Sequence, residues 1–342
     1  MKVFITGRLP EEIIAFINKE HETEVNEEDR PIDRQRLLDS IGDKQGLLCM
    51  ITDQIDKELF DRASHLRIVS NCAVGFNNID IKAATERGIL VSNTPGVLTD
   101  ATADITFALI LSIARRVVEG DRRTRQGEFR FWAPLHFLGR EVTGKKLGII
   151  GLGRIGRAVA RRAKGFDMKI LYYDRNRLEA SEEKALEAQY VGLKTLLSEA
   201  DFVSLHVSLN DQTHHLIGQK ELECMKPSAY LINTSRGPVV DETALLEALR
   251  KRKIAGAGLD VYENEPILTP GLTDLDNVIL LPHLGSATME TRTRMAQLAA
   301  VNLIAGLKGE IPPNCINCDA FSELTDGSPQ GEAPFSGSKN RV

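Results

Sequence analysis

The chain has 342 residues, 42% hydrophobic and 27% charged, with a net charge of −5. That length leaves room for two domains with separate cores, and the acidic balance speaks against a nucleic-acid surface; the local basic groups at Arg122, Arg123 and Arg125 and at 251–253 read as solvated helix faces. No run nears the ~18 apolar residues of a membrane span, and the amino terminus turns acidic without a signal peptide's apolar stretch, so a cytoplasmic protein is expected.

In chain order, residues 1–98 repeat one rhythm. Strand-like runs at 3–6, 46–51, 67–72 and 89–92 alternate with helical stretches at 11–20, 33–40, 57–63 and 79–87. Such alternation predicts a parallel sheet covered by helices. After the third run come Ala73, Val74, Gly75 and Phe76, a glycine turn with several backbone N–H groups. It reads equally as a carboxylate-binding loop or as an ordinary strand-to-helix turn. Residues 94–96 break the rhythm. From 99 to 120 the chain is apolar over too wide an arc for a surface helix, which predicts one long helix crossing between domains and meeting a partner subunit. Between 128 and 139, Phe129, Phe131, Trp132, Leu135, His136 and Phe137 follow no regular period. An aromatic arm of this kind needs burial, and a second subunit is the expected cover.

The stretch 145–174 organises the second half. An apolar run at 147–150 leads into Gly151, Leu152, Gly153, Arg154, Ile155 and Gly156, the pattern G-x-G-x-x-G. Ile155, Val159 and Ala163 follow at helical spacing, and a second strand ends at Asp174, 18 residues beyond the last glycine. The first glycine permits a tight turn, the second lets backbone approach a pyrophosphate, and the third lets the helix close onto the sheet. The free helix N-terminus suits phosphate. Asp174 suits the ribose hydroxyls and opposes a 2′-phosphate, so NAD is expected over NADP, with Arg175 and Arg177 tempering the preference.

Beyond Asp174, strands are predicted at 202–207, 230–233, 256–261 and 278–281, with helices at 193–199, 220–225, 242–250 and 290–307. The last helix can return the chain to the first domain. Cys49, Cys72 and Cys224 read as buried thiols. Cys315 and Cys318 form a single C-x-x-C with no second pair, so no metal site is expected. The Gly-, Ser-, Pro- and charge-rich tail, 319–342, reads as disordered.

Three polar residues fall just past predicted strand ends, where ligands bind in open α/β sheets: Arg236, Glu265 and His283. Together they suit carbonyl reduction. Histidine can supply the oxygen's proton, a carboxylate on its far nitrogen fixes the tautomer, and arginine can grip a substrate carboxylate in fork geometry. Taken singly each has a structural reading. Arg236 could cap a turn, His283 could be a turn contact, and Glu263 competes with Glu265.

The combination resembles the D-isomer-specific 2-hydroxyacid dehydrogenases. The matching residues are the glycine loop with Asp174; Asn233, Thr234, Ser235, Arg236 and Gly237; Gly258, Leu259, Asp260 and Val261 with Glu265 and Pro266; Leu281, Pro282 and His283; and the stretch 93–99. The resemblance spans 2–316 and points most toward glyoxylate/hydroxypyruvate reductases, whose loop is similar to 73–80. It implies an α/β fold of two doubly wound parallel-sheet domains. A flavodoxin-like substrate domain would take 1–98 and 285–318, and a Rossmann nucleotide domain 99–284. It also implies catalysis by Arg236, Glu265 and His283, with His283 the proton donor. Cofactor contacts would come from Leu152, Gly153, Arg154, Ile155, Asp174, Arg175, Asn176, Thr234, Ser235, Arg236 and Asp260. Substrate contacts would come from Ala73, Val74, Gly75, Phe76 and Arg236. The expected substrate is a small 2-oxo acid, the cofactor NADH with NADP open, and the assembly a homodimer through 99–140. A dehydrogenase for D-lactate or a branched 2-hydroxy acid, or a nucleotide-sensing corepressor-like binder, are the alternatives. The chain departs from the family's usual pattern at Ser208, where proline is common, and Asp174, Arg175 and Asn176 differ from reductases that prefer NADP.

Overall fold

Strands of three to five residues, most of them apolar and buried, build two parallel sheets. The computed structural model describes residues 1–324 and divides into two compact units, Met1–Thr94 with the chain from Ala296, and Pro95–Met295.

The first unit alternates β1 (Lys2–Ile5), α1 (Glu11–Asn18), β2 (Glu22–Val25), α2 (Arg34–Ser40), β3 (Gly46–Cys49), α3 (Lys57–Arg62), β4 (Ile68–Asn71), α4 (Ile81–Glu86) and β5 (Leu90–Ser92). Its sheet is parallel throughout, in the order β2-β1-β3-β4-β5, the flavodoxin-like order. Asp33, Asp56 and Asp80 each cap the helix that follows by accepting backbone N–H groups.

The second unit opens on α5 (Thr99–Arg115) and α6 (Val117–Arg125). The expected single helix is therefore broken. Arg116 sits in the left-handed region at φ 55°, its guanidinium held by both oxygens of Glu119 at 2.8 Å and stacked 4.0 Å over the Phe137 ring. Then follow β6 (Lys146–Ile150), α7 (Arg154–Lys164), β7 (Lys169–Tyr173), α8 (Ala180–Leu186), β8 (Ala188–Tyr190), α9 (Leu193–Glu199), β9 (Phe202–Leu205), α10 (Gln219–Cys224), β10 (Tyr230–Asn233), α11 (Glu242–Arg250), β11 (Gly256–Leu259) and β12 (Val278–Leu280). The strand order is β12-β11-β10-β9-β6-β7-β8. The sequence direction reverses between β6 and β9, which creates the switch point where doubly wound sheets bind ligands. Helix α5 lies in the core beside this sheet, with Ala103, Phe107, Leu109, Ile110 and Ile113 buried.

The last helix, α12 (Met289–Leu307), begins in the second unit. From Ala296 it belongs to the first, where Ala299, Ala300, Leu303 and Leu307 pack with Val3, Ile5 and Ile68. The return to the first unit thus comes later than residue 285, because Gly285 is tied to the second unit: its carbonyl accepts from Thr102 and its N–H donates to Asp260. Cys315 and Cys318 are joined in a disulfide. Cys49 is buried, while Cys72 and Cys224 are half-buried rather than enclosed. The tail expected to be disordered from 319 begins as a 3-10 segment, Cys318–Leu324, with Phe321 packed on the first unit's core. Its remainder, 325–342, lies outside the described residues. Among the described residues no helix is long and apolar enough to cross a membrane.

Candidate active site

The glycine loop leaves β6 at the switch point. Gly151 has φ 91°, and a Cβ there would fall 2.7 Å from the His206 carbonyl carbon and the Val207 nitrogen, the chain just after β9. Only glycine satisfies both constraints. At Gly156 a Cβ would lie 2.2 Å from the Gly151 carbonyl oxygen, so α7 closes directly onto the turn. Gly153 differs: a Cβ there would meet nothing within 4 Å. The loop is thus packed on its protein side and open at the glycine where backbone approaches a pyrophosphate. The residues present fit a dinucleotide.

Asp174 follows β7 and accepts the Leu152 N–H at 2.7 Å and the Asn176 N–H at 3.4 Å, which fixes the acid against the loop. Arg177 is committed elsewhere. Glu183 takes its guanidinium at 2.8 and 2.9 Å and also accepts from the Tyr172 hydroxyl; the arginine and tyrosine together hold the Glu183 carboxyl down at about 2. Arg175 is the exposed cation beside Asp174.

Three strand ends supply the polar residues. After β10, buried Asn233 folds the turn: its Oδ1 accepts the Ser235 N–H and hydroxyl at 3.1 and 2.9 Å, and its amide donates to the Arg236 carbonyl at 2.9 Å. Thr234 hydrogen-bonds Thr106 of α5 at 2.9 Å. The turn presents Arg236, whose Nη1 donates to the Ser235 carbonyl at 2.7 Å. Burial pushes this guanidinium below its ordinary value, against the pull of nearby Glu265.

Past β11, Asp260 is buried, and its two oxygens accept the N–H groups of Leu284 and Gly285 at 2.6 and 2.7 Å. Expected as a cofactor contact, its carboxylate here anchors the segment after His283. Burial raises its carboxyl, although those N–H groups and His283 oppose the shift. The His283 N–H itself donates to the Asp260 carbonyl at 3.0 Å, and His283 takes φ 54°.

The imidazole's Nδ1 lies 2.8 Å from Glu265 Oε2, and Glu265 Oε1 accepts the Tyr262 N–H at 2.9 Å. Burial pushes the Glu265 carboxyl up, but His283, that N–H and Arg236 outweigh it and hold the group below its usual value. The carboxylate is ionised, so Nδ1 is the donor and Nε2 faces outward without a hydrogen bond among the described residues. The two acids take different partners. Glu263 Oε1 lies 2.6 Å from His215 Nε2, and His214 stacks on His215. Donor atoms of these last three lie within 4.8 Å of one another, a spacing a metal ion could bridge. Sequence reasoning missed Tyr262. Beyond its backbone N–H on Glu265, its hydroxyl donates to the Leu281 carbonyl at 2.8 Å, so one residue ties Glu265 to the strand end that precedes His283.

A model of the NAD-binding domain of D-isomer specific 2-hydroxyacid dehydrogenases matches residues 107–285. The chain is 54% identical over 325 residues to a glyoxylate reductase of Thermococcus litoralis, covering 94% of this chain and 98% of that one. It belongs to the D-isomer-specific 2-hydroxyacid dehydrogenases. Pyrococcus furiosus has a glyoxylate reductase 52% identical over 320 residues, covering 92% and 95%. Among solved structures of similar fold, a glyoxylate reductase from Paecilomyes thermophila superposes with a TM-score of 0.83 at 35% identity, covering 93% of this chain and 99% of that one. An NADPH-dependent glyoxylate/hydroxypyruvate reductase from Sinorhizobium meliloti, in complex with NADP and malonate, superposes with 0.81 at 31% identity, covering 92% and 96%. As a family member the chain is an NAD(P)-dependent oxidoreductase that reduces a 2-oxo acid, similar to the glyoxylate reductases.

In the first unit, the carbonyls of the 73–76 loop are tied to the ends of β4 and β5. Asn71 donates to the Gly75 carbonyl at 2.9 Å, Asn93 to that of Val74 at 2.7 Å, and the Thr94 N–H to that of Ala73 at 2.9 Å. The N–H groups of Val74 and Gly75 make no hydrogen bond among the described residues.

Proposed function

We propose that the enzyme reduces glyoxylate or hydroxypyruvate with NADH, and that His283 delivers the proton. The observation that carries this reading is the Glu265–His283 contact at 2.8 Å, which uses Nδ1 and leaves Nε2 outward. Bound nicotinamide supplies the hydride to the substrate's carbonyl carbon. Arg236 forks onto the substrate carboxylate and polarises the adjacent carbonyl. In the first unit, the loop of Ala73, Val74, Gly75 and Phe76 is the proposed carboxylate-binding loop: the Val74 and Gly75 N–H groups, with the carbonyls of both residues pinned by Asn93 and Asn71, suit a carboxylate without a charged side chain. His283, protonated, gives its Nε2 proton to the carbonyl oxygen and ends neutral, while Glu265 keeps the Nδ1 proton in place. The test is loss of NADH absorbance with glyoxylate, hydroxypyruvate, pyruvate and a branched 2-oxo acid, repeated with NADPH. Fast turnover confined to the first two supports the reading. Better turnover of the branched acid moves the substrate class, and binding without turnover would favour the corepressor-like role.

The NADH preference rests on Asp174 beside the glycine loop and on Arg177 being taken up by Glu183. Residues 151–156, Asp174, Arg175, Asn176, Thr234, Ser235, Arg236 and Asp260 are the proposed cofactor contacts. Removing a single charge opposed to a 2′-phosphate is worth on the order of 1.4 kcal/mol, or about tenfold. Asp174→Ala is therefore expected to move the ratio of kcat/KM for NADH over NADPH by roughly that factor toward NADPH. A wild-type enzyme that already prefers NADPH would remove the premise.

The homodimer reading rests on the arm after α6. Phe129, Trp132 and Leu135 are 70%, 79% and 86% exposed, with Val117 and Val118 also bare. A second copy is the proposed cover. Trp132 is the chain's single tryptophan, so its emission reports directly. Sedimentation is expected to give a dimer, with tryptophan emission shifting to the red on dilution. Trp132→Ala is expected to alter the preference between glyoxylate and a bulkier 2-oxo acid, as it would if the side chain reaches the partner's site. A dilution-independent monomer would end this reading.

A further inference from the structure

Glu242 is 3% exposed and opens α11, with no part in the chemistry described above. An acid in a helix's first turn is usual, but one so deeply buried needs specific partners. Its Oε1 accepts the Glu263 N–H at 2.6 Å and its Oε2 accepts the Thr269 hydroxyl at 2.6 Å. These residues stand on the ingoing and outgoing limbs of the loop that carries Glu265. Between them the Ile267 N–H donates to the Asn264 carbonyl at 2.8 Å, closing a tight turn with Glu265 inside it. The grip is reciprocal: the Glu242 N–H donates to Glu263 Oε2 at 3.2 Å, and His215 holds the other oxygen of Glu263. On its opposite side, the same Tyr262–Glu263 peptide lies against Gly237. A Cβ on Gly237 would fall 1.8 Å from the Tyr262 carbonyl carbon and 2.3 Å from the Glu263 nitrogen. Gly237 follows Arg236 directly. One peptide plane is thus pressed between the turn that presents Arg236 and the carboxylate of Glu242.

We propose that Glu242 is a positioning residue for the reduction: by clamping both limbs of the 263–269 loop, it sets where Glu265 meets His283. The inference rests on the reading of Glu265 and His283 given above. A two-oxygen carboxylate is needed because a loop held only at one limb would let Glu265 drift by more than the ~0.5 Å that productive geometry tolerates, lengthening its 2.8 Å contact with His283. Groups that orient a working residue typically change activity ~10- to 100-fold when removed.

The test is kinetic and uses the whole enzyme with glyoxylate and the pyridine nucleotide it prefers. The split between kcat and the KM for the nucleotide, with rescue by the conservative variant, separates positioning from a general loss of structure. Glu265→Gln is the reference and is expected to lower kcat ~10-fold or more with the KM for the nucleotide unchanged. Glu242→Ala is expected to do the same, and the double variant to lose little beyond Glu265→Gln alone, because both changes act on one contact. Glu242→Gln keeps an oxygen for the Glu263 N–H and offers an amide donor to the Thr269 hydroxyl, so it is expected to restore most of kcat. Thr269→Val cuts the outgoing limb alone and gives a smaller loss of kcat; it carries the test if Glu242→Ala does not fold. A wild-type kcat in Glu242→Ala, Glu242→Gln no better than alanine, or additive losses in the double variant would overturn the inference while leaving the pair intact. An unchanged kcat in Glu265→Gln would overturn both.

Discussion

His283→Ala is expected to lower kcat by ~10²–10⁴-fold while leaving the affinity for NADH close to wild type. The ring's two nitrogens have separate tasks. Nδ1 is spent on Glu265 at 2.8 Å, and the backbone around the residue is fixed by the His283 N–H on the Asp260 carbonyl and by the Leu284 and Gly285 N–H groups on the Asp260 carboxylate. Removing the ring deletes the proposed proton source and leaves the glycine loop, Asp174 and the β10 turn as they were. Nucleotide binding followed by fluorescence, alongside single-turnover reduction, separates the two effects. Near-wild-type turnover would mean that water or another group protonates the oxygen.

The second large effect is at Arg236. Truncating one partner of a desolvated, hydrogen-bonded charge pair costs ~2–5 kcal/mol, which corresponds to roughly 30- to 5,000-fold in kcat/KM. Arg236→Ala is expected to fall in that range for glyoxylate. Arg236→Lys should recover only part of it, because an ammonium replaces the planar fork with a point charge. Burial, not a salt bridge, dominates the electrostatics of this guanidinium, so a substrate carboxylate would meet a cation poorly screened by water. Guanidinium ion added to the alanine variant is expected to restore measurable turnover. A variant whose KM for glyoxylate is unchanged would place the substrate carboxylate elsewhere.

The inner strands of both sheets were legible because burial on two faces demands unbroken apolar runs. Two strands were not. Strand β2 is Glu-Thr-Glu-Val with alternate residues exposed, and β8 is only Ala-Gln-Tyr; both lie at sheet edges, where polar alternation and brevity erase the signal. The break at Arg116 was invisible because neither glycine nor proline marks it; the left-handed arginine is held by its fork onto Glu119, three residues on, and by stacking on Phe137 of the arm. The glycine loop, Asp174, Arg236, Glu265 and His283 were legible as residue types at strand ends. Their partners were not. Nothing in the order of residues says that Glu263 turns to His215 and Glu265 to His283, or that Asp260 spends both oxygens on backbone. The backbone N–H groups on Asp260 and Glu263 come from Leu284, Gly285 and Glu242, distant in sequence, whereas the one on Glu265 comes from nearby Tyr262.

The first unit's sheet has a consequence for synthesis. Its face toward α2, α3 and α4 can close once residue 94 has emerged. The other face waits: Val3, Ile5, Leu48 and Ile68 find their cover partly in α1 and otherwise in Ala296, Ala299, Ala300 and Leu303. At ~5–20 residues per second, the ~200 residues in between take about 10–40 s to make. Through that interval the nascent chain carries a half-clad apolar sheet beside a second unit that is still being made. Chaperone demand on the ribosome should therefore peak before α12 emerges, and a chain cut short ahead of Ala296 should aggregate although its nucleotide half is complete.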